Sequence, residues 1–386
     1  MADAGPGAVV VAPDDARMRA AGLAGLLGPD AGRDADADAA ALWTPIRLPA
    51  ADLPLLHPEL ELRARMPAGG RLEFVTDATA LELPVHVEPL AGSDWPVGPF
   101  DVVVDGEVVS RQRILGEGIL SVSGLAAGRK RIEVWLPHYG YPRLGRLRLG
   151  GATLVEHPAV ATPGPVQPRW TLYGSSISQC RESPGPTETW PALVAREAGW
   201  DLRCLGFGGQ CHLDPAVARY IRDTPADLIA LCLGINVYGA ATFSSRSLGP
   251  AVTGFVQTIR DGHPDAPVVV MTPIVSPSRE TEPNVVGLTL ADVRAIVRHT
   301  AESLQRAGDE ALHVVDGLDL LGPDDAELLV DGLHPGEEGY RLLASRAAPH
   351  LREMLPSRRS ARSAAHTLAG ERGAPGGATA GCGRSP

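Results

Sequence analysis

The sequence predicts an α/β chain in two parts: an all-β sandwich, then a three-layer α/β/α domain with a parallel sheet. Three observations predict it. Between Trp43 and about Val155, apolar residues recur with partial period-two alternation, and turn-formers break the runs. Residues 156–168, "EHPAVATPGPVQP", carry four prolines and no periodicity, as a proline-stiffened linker would. Beyond Arg169, apolar strand-like runs alternate with amphipathic helical ones, which is the pattern of a parallel sheet covered on both faces.

The expected division follows: a loose N-terminus over 1–13, the sandwich over 14–155, the linker over 156–168, the α/β domain over 169–355 and a Ser/Arg/Gly-rich, disordered tail over 356–386. "ARMRAAGLAGLL" (16–27) fits a short helix or a strand, and 30–40 is an acidic, low-complexity loop. "RLEFVTDA", "LELPVHVEPL", "FDVVVDGEVVS", "GILSVSGL" and "RKRIEVWLP" read as strands of a sandwich of about eight, with a hairpin at Asp105-Gly106 and no useful helix between them. In the second half "RWTLYG", "LRCLGFG", "DLIALCLGIN", "APVVVMTP" and "LHVVDGL" are strands. "TETWPALVAREAG", capped by Thr189 or Thr187, "TLADVRAIVRHTAESLQRAG" and "GEEGYRLLASRAAPHLREML" are helices.

A formal charge of −11 argues against a nucleic-acid partner and against an anionic membrane surface. No run is long and apolar enough to span a bilayer, and the N-terminus lacks the basic region of a secretory signal, so a cytoplasmic protein is expected. Cys180, Cys204, Cys211, Cys232 and Cys382 are too few and too irregular for a disulfide framework or a zinc site, and reduced thiols are expected.

In an open parallel sheet, functional residues gather past the carboxyl ends of the strands. Four loops there hold a serine ("GSSIS"), close-approach glycines ("GFGGQCHLD"), an amide ("GIN") and an Asp and His three apart ("DGLHP"). A serine hydroxyl needs a base to take its proton, imidazole suits that task near neutrality, and a carboxylate fixes the imidazole's tautomer. The oxyanion then needs donors positioned in advance, which backbone N–H groups and an asparagine supply. Singly each piece has an ordinary reading: a turn serine, a helix-capping Asp331, a surface His334, a turn Asn236. "GFGG" is a poor dinucleotide loop, because Cys211 stands where the third glycine of G-x-G-x-x-G belongs.

Together these blocks resemble the SGNH, or GDSL-type, serine hydrolases over Arg169 to about Leu355. The resemblance implies a flavodoxin-like α/β/α domain. It places the nucleophile on Ser176, the base on His334 and its carboxylate on Asp331. Ser176 N–H, Gly209 and Asn236 would form the oxyanion hole, with Gly208 the alternative glycine. Two positions depart from the family: its Asp before the nucleophile is Ser175 here, and its Asp after the third-block asparagine is Val237. The first half resembles the jelly-roll-like sandwich of a branch that cleaves sugar esters or acylates sugar hydroxyls of natural products. Trp135, His138, Tyr139 and Tyr141 suit a sugar ring or an apolar acyl group, or else pack between the domains, and His212 is a further candidate substrate contact. The expected activity is a serine esterase on a small, sugar-containing or otherwise glycosylated ester, with no metal or other cofactor. The alternatives are acyl transfer from a thioester donor to a sugar hydroxyl and a carbohydrate-binding protein with an inactive hydrolase domain.

Overall fold

The computed structural model describes residues 8–29, 41–161 and 166–355. The acidic loop at 30–40, the 356–386 tail with Cys382, and most of the N-terminal stretch lie outside them. Two antiparallel sheets face each other in the first half. One has five strands, in the order Val9–Val11, Leu147–Gly150, Ala80–Glu88 and Tyr141–Leu144, with Gly116–Ser123 also on Ala80–Glu88. The other has six: Val155–Glu156, Arg71–Thr76, Lys130–Trp135, Phe100–Val104 and Glu107–Gln112, with Arg19–Ala21 also on Arg71–Thr76.

Alternation explains the first sheet. Leu81, Leu83, Val85 and Val87 point inward while their neighbours stay partly open. Arg71–Thr76 does not alternate because both its faces are covered. Its even positions Leu72 and Phe74 enter the sandwich core, and its odd positions Arg71 and Glu73 face the second domain. The hairpin at Asp105-Gly106 has φ of 48° and 94°, the two left-handed residues a type I′ turn requires.

The sandwich exceeds the expectation from sequence at several points. Among the described residues its two sheets hold eleven strands, not about eight. Val9–Val11, in the stretch expected to be loose, pairs with Leu147–Leu149. The ambiguous 16–27 segment holds two three-residue strands. A helix, Pro58–Ala64, interrupts the β pattern: His57 accepts the N–H of Glu59, and Leu60 and Ala64 are buried on one face. At seven residues it is too short to show a helical period. Part of the proline-rich connection is also helical, over Pro158–Ala161.

The second half is a five-stranded parallel sheet in the order Asp201–Gly206, Arg169–Gly174, Leu228–Cys232, Val268–Met271, Leu312–Val315. Helices Trp190–Ala198, Leu248–Arg260, Leu290–Arg306 and Glu337–Met354 cover it. Thr189, rather than Thr187, caps the first of these by accepting the N–H of Ala192. The chain runs first to one side of the Arg169–Gly174 strand and then to the other. The loops after Arg169–Gly174 and Leu228–Cys232 therefore flank the point where strand order reverses, where such sheets form a crevice.

The two halves share buried charge. Asp101, fully buried, accepts from Arg111 at 2.7 and 3.0 Å and from the Thr187 hydroxyl at 2.6 Å. Asp201 binds Arg71 at 2.8 Å and also pairs with Arg19. Burial acts to raise the Asp201 carboxyl, but the two guanidiniums outweigh it and hold it below the usual range. A depressed carboxylate stabilises the fold above its unfolded pKa of about 4, and that contribution is lost as pH falls through the lower folded value. Asp201→Asn is therefore expected to lower the unfolding midpoint at pH 7 and to leave a weaker acid dependence of stability, measured by thermal melts from pH 3 to pH 7.

Gly206 ends its strand against the helix that follows Gly174. A Cβ there would lie 2.5 Å from the Gln179 nitrogen and 2.6 Å from the Ser178 carbonyl carbon. Gly206→Ala is expected to cost about 1–3 kcal/mol, the usual cost of overpacking, and to displace that helix. Gly25→Ala, whose methyl meets nothing within 4 Å, serves as the neutral control in the same denaturation experiment.

Candidate active site

Ser175 ends the Arg169–Gly174 strand in extended geometry, and its Oγ accepts the N–H of Ile177 at 3.2 Å. It thus caps a four-residue helix, Ser176–Gln179, and sets Ser176 at the first helical position, where the backbone N–H has no intrahelical partner. Ser175 fills by capping the place the resemblance gives to an Asp. Val237, the other departure, is buried.

The Ser176 Oγ lies 2.8 Å from His334 Nε2, and His334 Nδ1 lies 2.7 Å from Asp331 Oδ2. The other Asp331 oxygen accepts the N–H of Leu333 at 3.0 Å and of His334 at 2.8 Å. This three-residue turn passes through Gly332 at φ 73°, and Ser276 Oγ holds the Gly332 carbonyl at 2.7 Å. Partial burial acts to raise the Asp331 carboxyl, but the hydrogen bonds from His334 and Leu333 outweigh it and hold it below the ordinary range. An ionised Asp331 can only accept, so it fixes the proton on Nδ1 and leaves Nε2 to accept from Ser176.

The glycine loop after Asp201–Gly206 is fixed by its neighbours. Gly208 donates its N–H to Gln179 Oε1 at 2.8 Å, while the Gly209 N–H meets no acceptor among the described residues. Gly209 has φ 73° and open space beside its Cα. Asn236 Oδ1 accepts the Cys211 N–H at 3.0 Å, so its amide NH₂ turns the other way.

The proposed substrate aromatics fare differently. Trp135 is buried in the core shared by the two domains, under the Arg71 guanidinium, and its Nε1 donates to Glu133. Tyr139 is buried with its hydroxyl 2.9 Å from Ser93 Oγ. His138 is buried beside Gly98, and burial lowers it to about 4. These three pack the protein and present no open ring face. Tyr141 is half-buried, and its hydroxyl has no hydrogen-bond partner among the described residues. His212 is half-buried, its Nε2 2.9 Å from the Gly209 carbonyl oxygen and its Nδ1 2.8 Å from Thr242 Oγ1. It lies on the wall of a cavity of about 830 Å³ that starts at Gly209 and continues past Leu213, Phe243, Ala251 and Phe255.

Several contributors went unnoticed in the sequence. Gln179 bridges the glycine loop to the sandwich, donating to the His138 carbonyl at 3.0 Å. Arg63, on the unforeseen helix, donates to the Gly208 carbonyl at 2.9 Å. Arg47 is fully buried and donates to the carbonyls of Cys204, Gly206 and Arg63 at 3.1, 2.6 and 2.7 Å. None carries a local signal, because each acts across more than a dozen residues of sequence. Cys180, Cys204, Cys211 and Cys232 are free thiols. Among the described residues no group of three or more His, Cys, Asp or Glu side chains is placed to hold a metal ion, and no helix is long and apolar enough to cross a membrane.

Residues 172–342 match the GDSL-like lipase/acylhydrolase family, and residues 35–142 match the SsfX3 N-terminal domain. The chain is 33% identical to salicylyl-acyltransferase SsfX3 from a tetracycline biosynthetic pathway, over 92% of this chain and 100% of that one, with a TM-score of 0.80. A family two carbohydrate esterase from Cellvibrio japonicus shares the fold at 16% identity and TM-score 0.59, covering 90% and 98% of the two chains. One from Clostridium thermocellum, solved with cellohexaose, does so at 17% and 0.57, covering 75% and 93%. No curated protein is matched by the chain. The chain therefore belongs to the GDSL-like lipase/acylhydrolase family, as an SGNH-type esterase or acyltransferase with an N-terminal β-sandwich.

Proposed function

We propose that this enzyme moves an acyl group through an ester on Ser176, from a thioester or activated ester to a hydroxyl of a bulky small molecule or to water. The observation that carries this reading is the unbroken chain from Ser176 Oγ through His334 to Asp331, with contacts of 2.8 and 2.7 Å. Ser176 Oγ attacks the acyl carbonyl as His334 Nε2 takes its proton. The carbonyl oxygen becomes an oxyanion held by the N–H groups of Ser176 and Gly209 and by the Asn236 amide. The engaged N–H of Gly208 supports Gly209 as the donor. The intermediate collapses as His334 returns the proton to the departing thiol or alcohol. An acceptor hydroxyl, or water, then gives its proton to His334 and attacks the acyl-enzyme, releasing the new ester or the free acid and restoring Ser176.

Two observations favour transfer to a bulky acceptor over simple deacetylation. The relative at 33% identity is a salicylyl-acyltransferase. The cavity of about 830 Å³ beside Gly209 is far larger than an acetyl group needs, and apolar side chains dominate its wall. Hydrolysis of a sugar ester is the second reading; it rests on the fold shared with the carbohydrate esterases. A binding protein with a dead hydrolase domain is disfavoured by the intact contacts of Ser176, His334 and Asp331.

Ser176→Ala is expected to lower turnover of p-nitrophenyl acetate by about three to six orders of magnitude with an unchanged melting profile. Equal rates for the two proteins would overturn the reading. Ala251→Trp, which narrows the cavity, is expected to raise KM for bulky aryl or polycyclic substrates several-fold. Acetate turnover should change less than twofold, as a series of acyl donors and acceptors would measure.

A further inference from the structure

The imidazole of His334 has a second carboxylate beside it. Glu182 follows the nucleophile helix by three residues, and its side chain is 3% exposed. Its Oε1 lies 3.8 Å from His334 Nδ1, the atom that also holds Asp331. Its Oε2 accepts the Tyr340 hydroxyl from the last helix at 2.9 Å. Arg181 donates to Oε1 at 2.7 Å, and the same guanidinium lies 3.9 Å from Asp331 Oδ2. It is also stacked 4.2 Å from the Trp95 ring centroid. Trp95 belongs to the sandwich, between the Ala80–Glu88 and Phe100–Val104 strands.

We propose that Glu182 is a positioning residue for His334, a second carboxylate that favours the imidazolium formed when Ser176 loses its proton. This rests on the acyl-enzyme reading above. The groups facing the ring are Ser176, Asp331, Glu182 and Arg181. Tyr340 reaches it through Glu182, and Arg279 reaches the same turn through the Gly332 carbonyl at 3.5 Å. With a neutral imidazole, Asp331, Glu182 and Arg181 sum to one negative charge. Proton transfer from Ser176 brings that cluster to zero. Without Glu182 it would run from zero to one positive charge, with Asp331 left to face both the guanidinium and the imidazolium. The burial of Glu182 and of the His334 ring makes this difference matter, because water screens that pair poorly.

The arrangement also gives Asp331 a partial substitute. Asp331 is the more exposed carboxylate, with 43% of its side chain open, and Glu182 is the buried one. If Asp331 is lost, Glu182 is left as the carboxylate next to Nδ1.

The test is a cycle of Glu182→Gln, Asp331→Ala and the double variant, read as kcat and KM on p-nitrophenyl acetate and as pH profiles of kcat/KM. Glu182→Gln keeps the side-chain shape and an acceptor for Tyr340. It is expected to lower kcat about tenfold with little change in KM, and to move the acid limb of the profile to lower pH, since a carboxylate favours protonated imidazole. In the Asp331→Ala background the same change is expected to cost about a hundredfold, because no carboxylate then remains at Nδ1. Tyr340→Phe, which removes a hydrogen bond but no charge, should leave the acid limb in place. An equal Glu182→Gln effect in both backgrounds, or an unmoved acid limb in a protein that melts like the parent, would overturn the proposal. Ser176→Ala separates the two failures: if it abolishes turnover while Glu182→Gln changes nothing, only this inference falls.

Discussion

The site depends on one buried amide, that of Gln179. Its oxygen accepts the Gly208 N–H and its nitrogen donates to the His138 carbonyl, at 2.8 and 3.0 Å. Three segments distant in sequence meet in that side chain: the Ser176–Gln179 helix, the glycine loop and the sandwich turn between Lys130–Trp135 and Tyr141–Leu144. An amide suits the task because it offers a donor and an acceptor on one rigid plane. By occupying the N–H of Gly208 it leaves that of the next residue for a ligand. In the proposed mechanism this orients the donor before any substrate arrives, which is what electrostatic catalysis requires.

The sandwich completes this arrangement from behind. Arg47 enters the α/β domain wholly buried and meets three carbonyls and the face of Phe207, at 4.6 Å from its centroid. Its hydrogen bonds go to carbonyls and no carboxylate pairs with it among the described residues, and burial lowers its pKa to about 10. Such a charge is costly to bury and is tolerated only where carbonyl dipoles surround it. Two of those carbonyls belong to the strand that leads into the glycine loop, and Arg63 takes a third in the loop itself. The sandwich is therefore a structural part of the catalytic cleft as well as a neighbouring module.

The legible features were those carried by local pattern. The parallel strands were readable because Leu228–Cys232 and Val268–Met271 are continuous apolar runs, as burial on both faces demands. Ser176, His334 and Asp331 were readable because chemistry restricts which residues stand past those strands. The Pro58–Ala64 helix was hidden by its length and by charged residues on its open side. Arg47, Gln179 and Glu182 were hidden for a different reason: a buried polar residue looks like a surface one until its partners are known. The aromatic cluster at 135–141 left two readings open, substrate contact or packing, and local pattern could not choose between them. Trp135 is taken into the interdomain core and Tyr139 is buried against Ser93 of the sandwich, so burial withholds both rings from a ligand.

The same burial bears on the proposed choice of Ser176 as nucleophile. Cys180, Cys204, Cys211 and Cys232 all lie close to the site, and free thiols are the stronger intrinsic nucleophiles. A thiol attacks as its thiolate, and here burial pushes every one of them upward, Cys232 to about 12. None has an imidazole within hydrogen-bond reach among the described residues. Ser176 is half-buried and has one at 2.8 Å. A weak nucleophile with a base can act where stronger ones without a base are silent, which supports the proposal that the Ser176 hydroxyl carries the acyl chain.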